Sequence, residues 1–396
     1  MPAGSGDTVR VGVNLTFLDS DQPSGTGVYA WSLVGELAEQ PDLDLVLYTA
    51  GATVPKDLVG RVQVVAHRPF RSVLTRIAWE QTVLALQARR HRLQVLLNPG
   101  YVCPVLGPTP KITTVHDLYY ARCPEALTRF RRLYYRIGTT MSCRASRAVI
   151  AVSATTGADL AELVAGSRNK ITVIHEAVRP GLLQAALEVS GAAVSGAEVS
   201  GAEVSGADPP GPGLAALRAP YFLIVASVTR NKNIDTVAAS LRQLNGTRAQ
   251  PAQVAVIGSD PYGLLAEATA RYGDPGSLVA LGGVSDQQLV RAYRGAVAAI
   301  QPSAYEGFGL PALEAQALGV PLICSRGGAL PEVVGEAAQF FDHRDPASLA
   351  AAMTVLLDDH HRRQQLRDAG LVNAGRYSWA AAGTATATLI RQVARS

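Results

Sequence analysis

The sequence predicts an α/β protein made of two doubly wound domains, each a parallel sheet flanked by helices. Three observations predict it. Short apolar runs alternate with helix-patterned stretches, the pattern breaks at a low-complexity segment near the middle, and it then restarts. With 396 residues, 48% hydrophobic and 17% charged, the chain can bury two cores.

In the first half the apolar runs at 9–15, 43–48, 93–97, 112–115, 148–152 and 171–174 are expected as strands. In the second half the runs at 221–226, 253–257, 278–281, 297–301 and 321–324 are expected to build the second sheet. The predicted organisation is an N-terminal Rossmann-like domain over 1–180, a low-complexity linker over 181–214, a second Rossmann-like domain over 215–377, and a last helix over 378–396. Ligands are expected between the domains, outside the carboxyl ends of the strands.

The linker carries a five-residue repeat, Val-Ser-Gly-Ala-Glu, from Val189 to Asp208, and runs into Pro209-Pro-Gly-Pro-Gly213. A period of five matches neither helix nor strand, so the segment is expected as a mobile surface insertion without a catalytic role. Composition also limits the function classes. The net charge of +4 suits acidic small ligands or an anionic surface, and no nucleic-acid signature is present. No apolar run is long enough to span a bilayer and the start of the chain lacks a signal pattern, so the expected location is cytoplasmic. Cys103, Cys123, Cys143 and Cys324 are scattered and indicate neither a disulfide framework nor a zinc site.

The most informative stretch is Glu306-Gly-Phe-Gly-Leu-Pro-Ala-Leu-Glu314, followed by Gly319-Val-Pro321. An apolar strand, a glycine turn and a helix with proline in its first turn follow one another there. Such a turn aims unpaired N–H groups and the positive end of a helix at one spot, the physical basis for holding a phosphate. Glu306 precedes the turn and Glu314 lies about one helical turn, roughly 5 Å, deeper, so both can accept sugar hydroxyls. Ser227-Val-Thr-Arg-Asn-Lys-Asn233 follows the strand that opens the second domain and supplies Arg230 and Lys232 against a diphosphate. Lysine occurs at only four positions, 56, 111, 170 and 232, which makes one at a strand end notable. Taken alone, these residues also fit solvated helix starts with incidental charges.

Glu306-Gly-Phe-Gly-Leu-Pro, Glu314 and Gly319-Val-Pro321 together resemble the donor-site motif of the retaining glycosyltransferase family 4, and Arg230-Asn-Lys232-Asn233 resembles its Arg-x-Lys-Asn element. Members have the GT-B architecture, two Rossmann-like domains facing an interdomain cleft. The resemblance implies that Glu306 lies against the donor sugar, that the turn at Phe308, Gly309 and Leu310 binds the diphosphate, and that Glu314 binds the ribose. Further similarity lies in Trp79-Glu-Gln81, in Gly283-Val-Ser-Asp286, whose Val284 is implied to contact the base, and in Tyr377-Ser-Trp379 before a helix implied to return to the first domain. His175-Glu-Ala177 departs from the family, because Ala177 stands where many members have glycine.

In the first domain, Gly25 and Gly27 sit in a predicted loop before a helix, where the family holds the donor phosphate and the acceptor; the same residues also fit a plain turn. His116, in Val-His-Asp-Leu at a predicted strand end, resembles a family element whose histidine hydrogen-bonds a donor-sugar hydroxyl, and a capping role is its alternative. Asp19-Ser-Asp21 and Asp42-Leu-Asp44 match an Asp-x-Asp metal pattern, but neither has a third oxygen ligand, and no metal is expected. From Arg129 to Arg136, arginines fall on one helical face and Phe130, Leu133, Tyr134 and Ile137 on another, which fits either a solvated amphipathic helix or peripheral contact with an anionic membrane.

The function implied is metal-independent, cofactor-free, retaining transfer of a hexose from a nucleotide diphosphate sugar, GDP-mannose as first choice, to a hydroxyl of a glycan, lipid-linked or small-molecule acceptor. The catalytic set is Glu306, His116, Arg230 and Lys232. A nucleotide-sugar epimerase and a noncatalytic sugar-nucleotide binder are the alternatives.

Overall fold

The computed structural model describes residues 8–18, 25–195, 213–214, 217–218, 220–272 and 276–396. It divides into two compact units, Met1–Ala177 with Ser378–Ser396, and Val178–Tyr377.

Unit 1 contains β1 (Val9–Leu15), β2 (Leu43–Ala50), β3 (Gln63–His67), β4 (Val95–Asn98), β5 (Lys111–Val115), β6 (Ala148–Ala151) and β7 (Ile171–Val173). All pair in parallel, in the order β3-β2-β1-β4-β5-β6-β7. Strands β4, β5 and β6 are buried along their whole length, the pattern of a sheet covered on both faces. The order reverses between β1 and β4, so the connections leaving those strands diverge and open a crevice at their carboxyl ends. The helix Trp379–Arg395 belongs to this unit and packs on the helix Gly25–Ala38 so closely that a Cβ on Gly383 would lie 2.4 Å from Glu36 Cβ. Arg391 anchors it further, donating from Nε and Nη2 to Asp42 at 2.7 and 2.6 Å. Those bonds hold the Asp42 carboxyl below its ordinary range.

Unit 2 contains β8 (Tyr221–Val225), β9 (Gln253–Ile257), β10 (Leu278–Gly282), β11 (Ala299–Gln301), β12 (Leu322–Ser325) and β13 (Gln339–Phe341), all parallel in the order β10-β9-β8-β11-β12-β13. Its core joins Phe222, Ile224, Val254 and Ile323 from the sheet to Leu241 and Met353 from covering helices. Here the order reverses between β8 and β11, the two strands that precede the Lys232 and Glu306 loops.

Three expectations differ from the structure. The break between units falls after Ala177, ahead of the expected limit at 180. Residues 181–195, expected as linker, lie in the helix Pro180–Ser195 of unit 2. Tertiary contacts offset the weak local propensity: Leu182 and Ala185 are buried, Arg294 donates to Ala186 O at 3.1 Å, and Gln287 donates to Glu188 at 3.0 Å. The remainder of the repeat, from 196 to 208, lies outside the described residues, as do Asp19 and Asp21. Gly25 and Gly27, expected in a loop, form the first turn of the helix Gly25–Ala38. Strands β3 and β13 were not anticipated; both are short sheet edges, of five and three residues, whose apolar runs Val64-Val-Ala66 and Phe340-Phe341 are brief.

The four cysteines are buried and none is in a disulfide. Among the described residues no helix is long and apolar enough to cross a membrane, and no cluster of three or more His, Cys, Asp or Glu is placed to hold a metal ion. The carboxylates of Asp42 and Asp44 face Arg391 and Arg10 instead.

Candidate functional site

In unit 2 the candidate site grows out of the β8 and β11 loops, at the point where strand order reverses. After β8 the chain makes a short 3-10 turn, Arg230–Lys232, and Asn233 takes a left-handed conformation at φ 48°. Asparagine tolerates that region better than most residues, and its side chain fixes the turn by donating to Pro302 O at 2.9 Å. The two loops are also joined through backbone, Ala304 N donating to Asn231 O at 2.8 Å. This local structure delivers the Lys232 ammonium to Glu306 Oε1. Gln301 Nε2 at 2.9 Å and Ser303 Oγ at 2.6 Å donate to the same oxygen. Glu306 is thereby held by three donors on Oε1, none of which uses its second oxygen. Arg230 is exposed on the same turn, and of the two expected cations Lys232 is the one seen bonded to the carboxylate.

Glycines let the neighbouring loop approach. Gly328 has φ +60°, and a Cβ there would fall 2.2 Å from Glu306 O; Ala329 N donates to that same carbonyl at 2.8 Å. Gly309, at φ 100°, caps the helix Leu310–Ala317, which has Pro311 in its first turn. Phe308, just before it, is buried with its ring edge-on to Tyr377 at 5.7 Å. Phe308, Gly309 and Leu310 therefore form a tight entry to a helix N-terminus beside the Lys232–Glu306 pair.

Glu314 lies on that helix and is only 5% exposed. Its Oε1 accepts from Arg179 Nε at 2.9 Å, and Arg179 Nη1 reaches Asp286 at 2.9 Å. Burial pushes the Glu314 carboxyl up, against the opposing pull of Arg179. Val284 sits in the turn after β10, directly before Ser285, which caps the helix Asp286–Gly295 with a reciprocal Gln288 bond. Arg179 thus ties the Glu314 helix to the element that follows Val284. Sequence reasoning missed Arg179. The available signal was a buried carboxylate demanding a cation, and Arg179 follows the His175-Glu-Ala177 departure by two positions.

In unit 1, His116 follows β5 and is buried, with Nδ1 at 2.9 Å from Glu176 Oε1 and Nε2 at 2.7 Å from Pro99 O. Both partners are acceptors, so the ring that satisfies them carries a proton on each nitrogen. Burial opposes that charge, but the Glu176 carboxylate and the Pro99 carbonyl outweigh it and raise the pKa. Both nitrogens of His116, one of which is expected to meet a sugar hydroxyl, face acceptors within unit 1. Tyr29 meets the ring edge-on at 4.7 Å. Of the alternative, a capping histidine with an N-cap Asp117, the aspartate's part has a counterpart: Asp117 Oδ1 accepts from Tyr119 N at 3.0 Å, at the start of the helix Tyr119–Arg122.

A second buried carboxyl, Glu80, lies in the same unit. Oε1 accepts from Thr16 Oγ1 at 2.7 Å and from Asn14 Nδ2 at 3.5 Å, and Asn14 in turn donates to Asn98 at 3.3 Å. Asn14 is on β1 and Asn98 ends β4, so the network spans the reversal point of that sheet. The Trp79-Glu-Gln81 similarity pointed at this residue without giving it a role.

Two family models match the chain, "Glycosyltransferase Family 4" over residues 23–181 and "Glycosyl transferases group 1" over residues 213–371, so that most of each unit is accounted for. Among curated relatives, O-antigen chain mannosyltransferase B of Escherichia coli is 42% identical over 99 residues, covering 25% of this chain and 26% of that protein. D-inositol 3-phosphate glycosyltransferase of Corynebacterium diphtheriae is 43% identical over 98 residues, covering 24% and 23%. The matches therefore span about a quarter of these relatives' own length. Among solved structures, HepE of Anabaena in complex with UDP and glucose superposes with a TM-score of 0.72 at 14% identity, covering 97% of this chain and 100% of that one. Two parallel Rossmann-like units, the matched models and this likeness in fold together establish that the chain belongs to glycosyltransferase family 4 and has the GT-B fold.

Proposed function

We propose that the protein transfers a hexose, with retention, from a nucleotide diphosphate sugar to an acceptor hydroxyl. The observation that carries this reading is the convergence of Lys232, Gln301 and Ser303 on Glu306 Oε1, beside the Gly309-capped helix at the sheet reversal of unit 2. The diphosphate takes the helix N-terminus and competes with Glu306 for the Lys232 ammonium, while Arg230, exposed on the same turn, adds a second cation. Glu306, relieved of part of its pairing, accepts hydroxyls of the donor sugar. As the bond from the anomeric carbon to the phosphate oxygen breaks, the cations stabilise the charge growing on the leaving diphosphate. The acceptor oxygen forms the new bond on the same face, and its proton passes to the leaving phosphate oxygen. Glu314 with Arg179 lines the ribose position, and Val284 the base.

The named mannosyltransferase among the relatives and the UDP complex of the structural neighbour support a nucleotide-sugar donor without choosing its base. GDP-mannose is the first donor to try. Catalysis needs no metal in this reading, so EDTA should leave turnover within about twofold of the untreated rate. Peripheral contact of the Arg129–Arg136 region with an anionic membrane belongs to the same proposal.

The direct test is turnover of donor with and without acceptor, with the product anomer read by NMR. The proposal expects nucleotide release dependent on acceptor and a product of unchanged anomeric configuration. Lys232→Ala and Glu306→Ala should each lower the rate by about 10²- to 10³-fold in a folded protein. An inverted product, or isomerised donor in the absence of acceptor, would overturn it.

A further inference from the structure

Two adjoining cavities in unit 1 play no part in the donor site described above. One, of about 420 Å³, opens where the sheet order reverses: Phe17 follows β1, Gly100 follows β4, and Arg76, Glu80, Tyr101 and Arg131 complete the wall. The other, of about 560 Å³, is almost wholly apolar and is lined by Leu106, Phe130, Leu133, Ile137 and Met141. They share Val102, Phe130 and Tyr134, so they form one continuous surface.

Each cavity contains something the folded protein leaves unsatisfied. Glu80 is 2% exposed, and its Oε2 has no hydrogen-bond partner; Arg76 Nε, 3.8 Å from Glu80 Oε1, also has none. A buried carboxyl oxygen and a buried guanidinium nitrogen without partners are costly, and a ligand carrying a hydroxyl and an acceptor oxygen would satisfy both. Glu80 opens a one-turn π-helical segment, Glu80–Leu84, a distortion found frequently at functional sites. In the apolar cavity the helix Arg129–Ala145 presents its hydrophobic face outward: Phe130 is 77% and Leu133 55% exposed. That face is bordered by Arg129, Arg131, Arg132 and Arg136, and the helix contains no acidic residue. An apolar trough with a cationic border complements a molecule with an apolar chain and an anionic head.

We propose that these cavities bind the acceptor as an anionic amphiphile, its single apolar chain along Phe130, Leu133 and Ile137 and its hydroxyl-bearing phosphate head against Glu80, Arg76 and Arg131. The proposal rests on the transferase reading and names the class of acceptor which that reading requires. Glu80 Oε2 accepts the head-group hydroxyl, and the guanidinium groups take the phosphate oxygens.

The test uses the full chain without donor and the monomeric lipid lysophosphatidylglycerol as probe, kept below its micelle concentration. Glycerophosphoglycerol, the head without the chain, and lysophosphatidylcholine, the chain without net negative charge, are the comparisons. Binding of lysophosphatidylglycerol should be at least tenfold tighter than either. Leu133→Glu, on an exposed helix position, should weaken it at least tenfold while leaving nucleoside diphosphate binding unchanged; Glu80→Gln should weaken the headgroup-dependent part. Equal binding of the chainless head, unchanged binding by Leu133→Glu, or a dimer in solution that Leu133→Glu dissociates would each overturn the proposal. Because the readout is binding without turnover, its failure is separable from that of the transferase reading, which would survive if sugar passed to a chainless acceptor at the same rate in both proteins.

Discussion

At the scale of single residues, the chemistry is set by which oxygen of each carboxylate is already occupied. Glu306 concentrates three donors on Oε1, whereas Glu314 is claimed by Arg179. Removing Lys232 strips Glu306 of its ammonium and should cost turnover far more than stability, because Gln301 and Ser303 still hold the carboxylate. His116 carries a different prediction. Its folded pKa is raised above the ordinary 6.5, with burial opposing and Glu176 and Pro99 prevailing. A raised pKa means that the folded state binds the proton more tightly, so its stabilisation is complete below about pH 6.5 and declines as pH rises through the folded value. Urea unfolding of the wild type should therefore show unit 1 weakening across that window, and His116→Gln should flatten the dependence. Wild-type stability rising with pH over the same range would contradict the assignment. His116→Ala should be harsher, by about 3–5 kcal/mol, since Glu176 would remain buried without its partner.

At the scale of elements, the turn at Gly309 decides how the helix Leu310–Ala317 meets the site. Its φ of 100° is left-handed, and a Cβ would stand 2.5 Å from Leu330 Cδ2. Gly309→Ala should cost about 1–2 kcal/mol for the backbone alone, with the clash adding to it, and should weaken nucleoside diphosphate binding; a variant with wild-type urea midpoint and affinity would show that the turn has no such constraint. The strand–glycine–helix order of this element was legible in the sequence because an apolar run, Gly-x-Gly and a first-turn proline follow one another as a strand, a turn and a helix start do. Strand β1 was legible to the residue, since its apolar run is buried along nearly its whole length. β3 was not, because its apolar run, Val64-Val-Ala66, is only three residues long between polar ends and lies on a mostly exposed edge. The helix Pro180–Ser195 was missed because it runs into the five-residue repeat, whose period matches no helix; its earlier part is tied to the helix Asp286–Gly295 through Glu188 and Ala186. Gly25 and Gly27 read as loop residues because propensity disfavours glycine in a helix, yet both stand in its first turn, Gly25 exposed and Gly27 buried.

At the scale of the whole molecule, two sheets reverse their strand order and each reversal gathers polar groups: Lys232 and Glu306 in unit 2, Asn14, Glu80, Asn98 and His116 in or beside that of unit 1. The donor motif could be read from sequence because its residues lie within one strand–turn–helix and one further loop. Arg179, Glu176 and Glu80 could not, because their importance comes from partners distant in the chain, as with Glu176 and His116, sixty positions apart. The two sites follow one rule of α/β sheets, but only the donor side is anchored by a contiguous motif. The most direct measurement is therefore thermal unfolding of wild type and Lys232→Ala in the presence of GDP, UDP and TDP. A nucleotide at 100-fold its Kd stabilises the protein that binds it by about 2.7 kcal/mol. The donor-site account predicts that one base raises the wild-type melting temperature selectively and that the shift largely disappears in Lys232→Ala. No shift with any of the three, or an equal shift in both proteins, would contradict it.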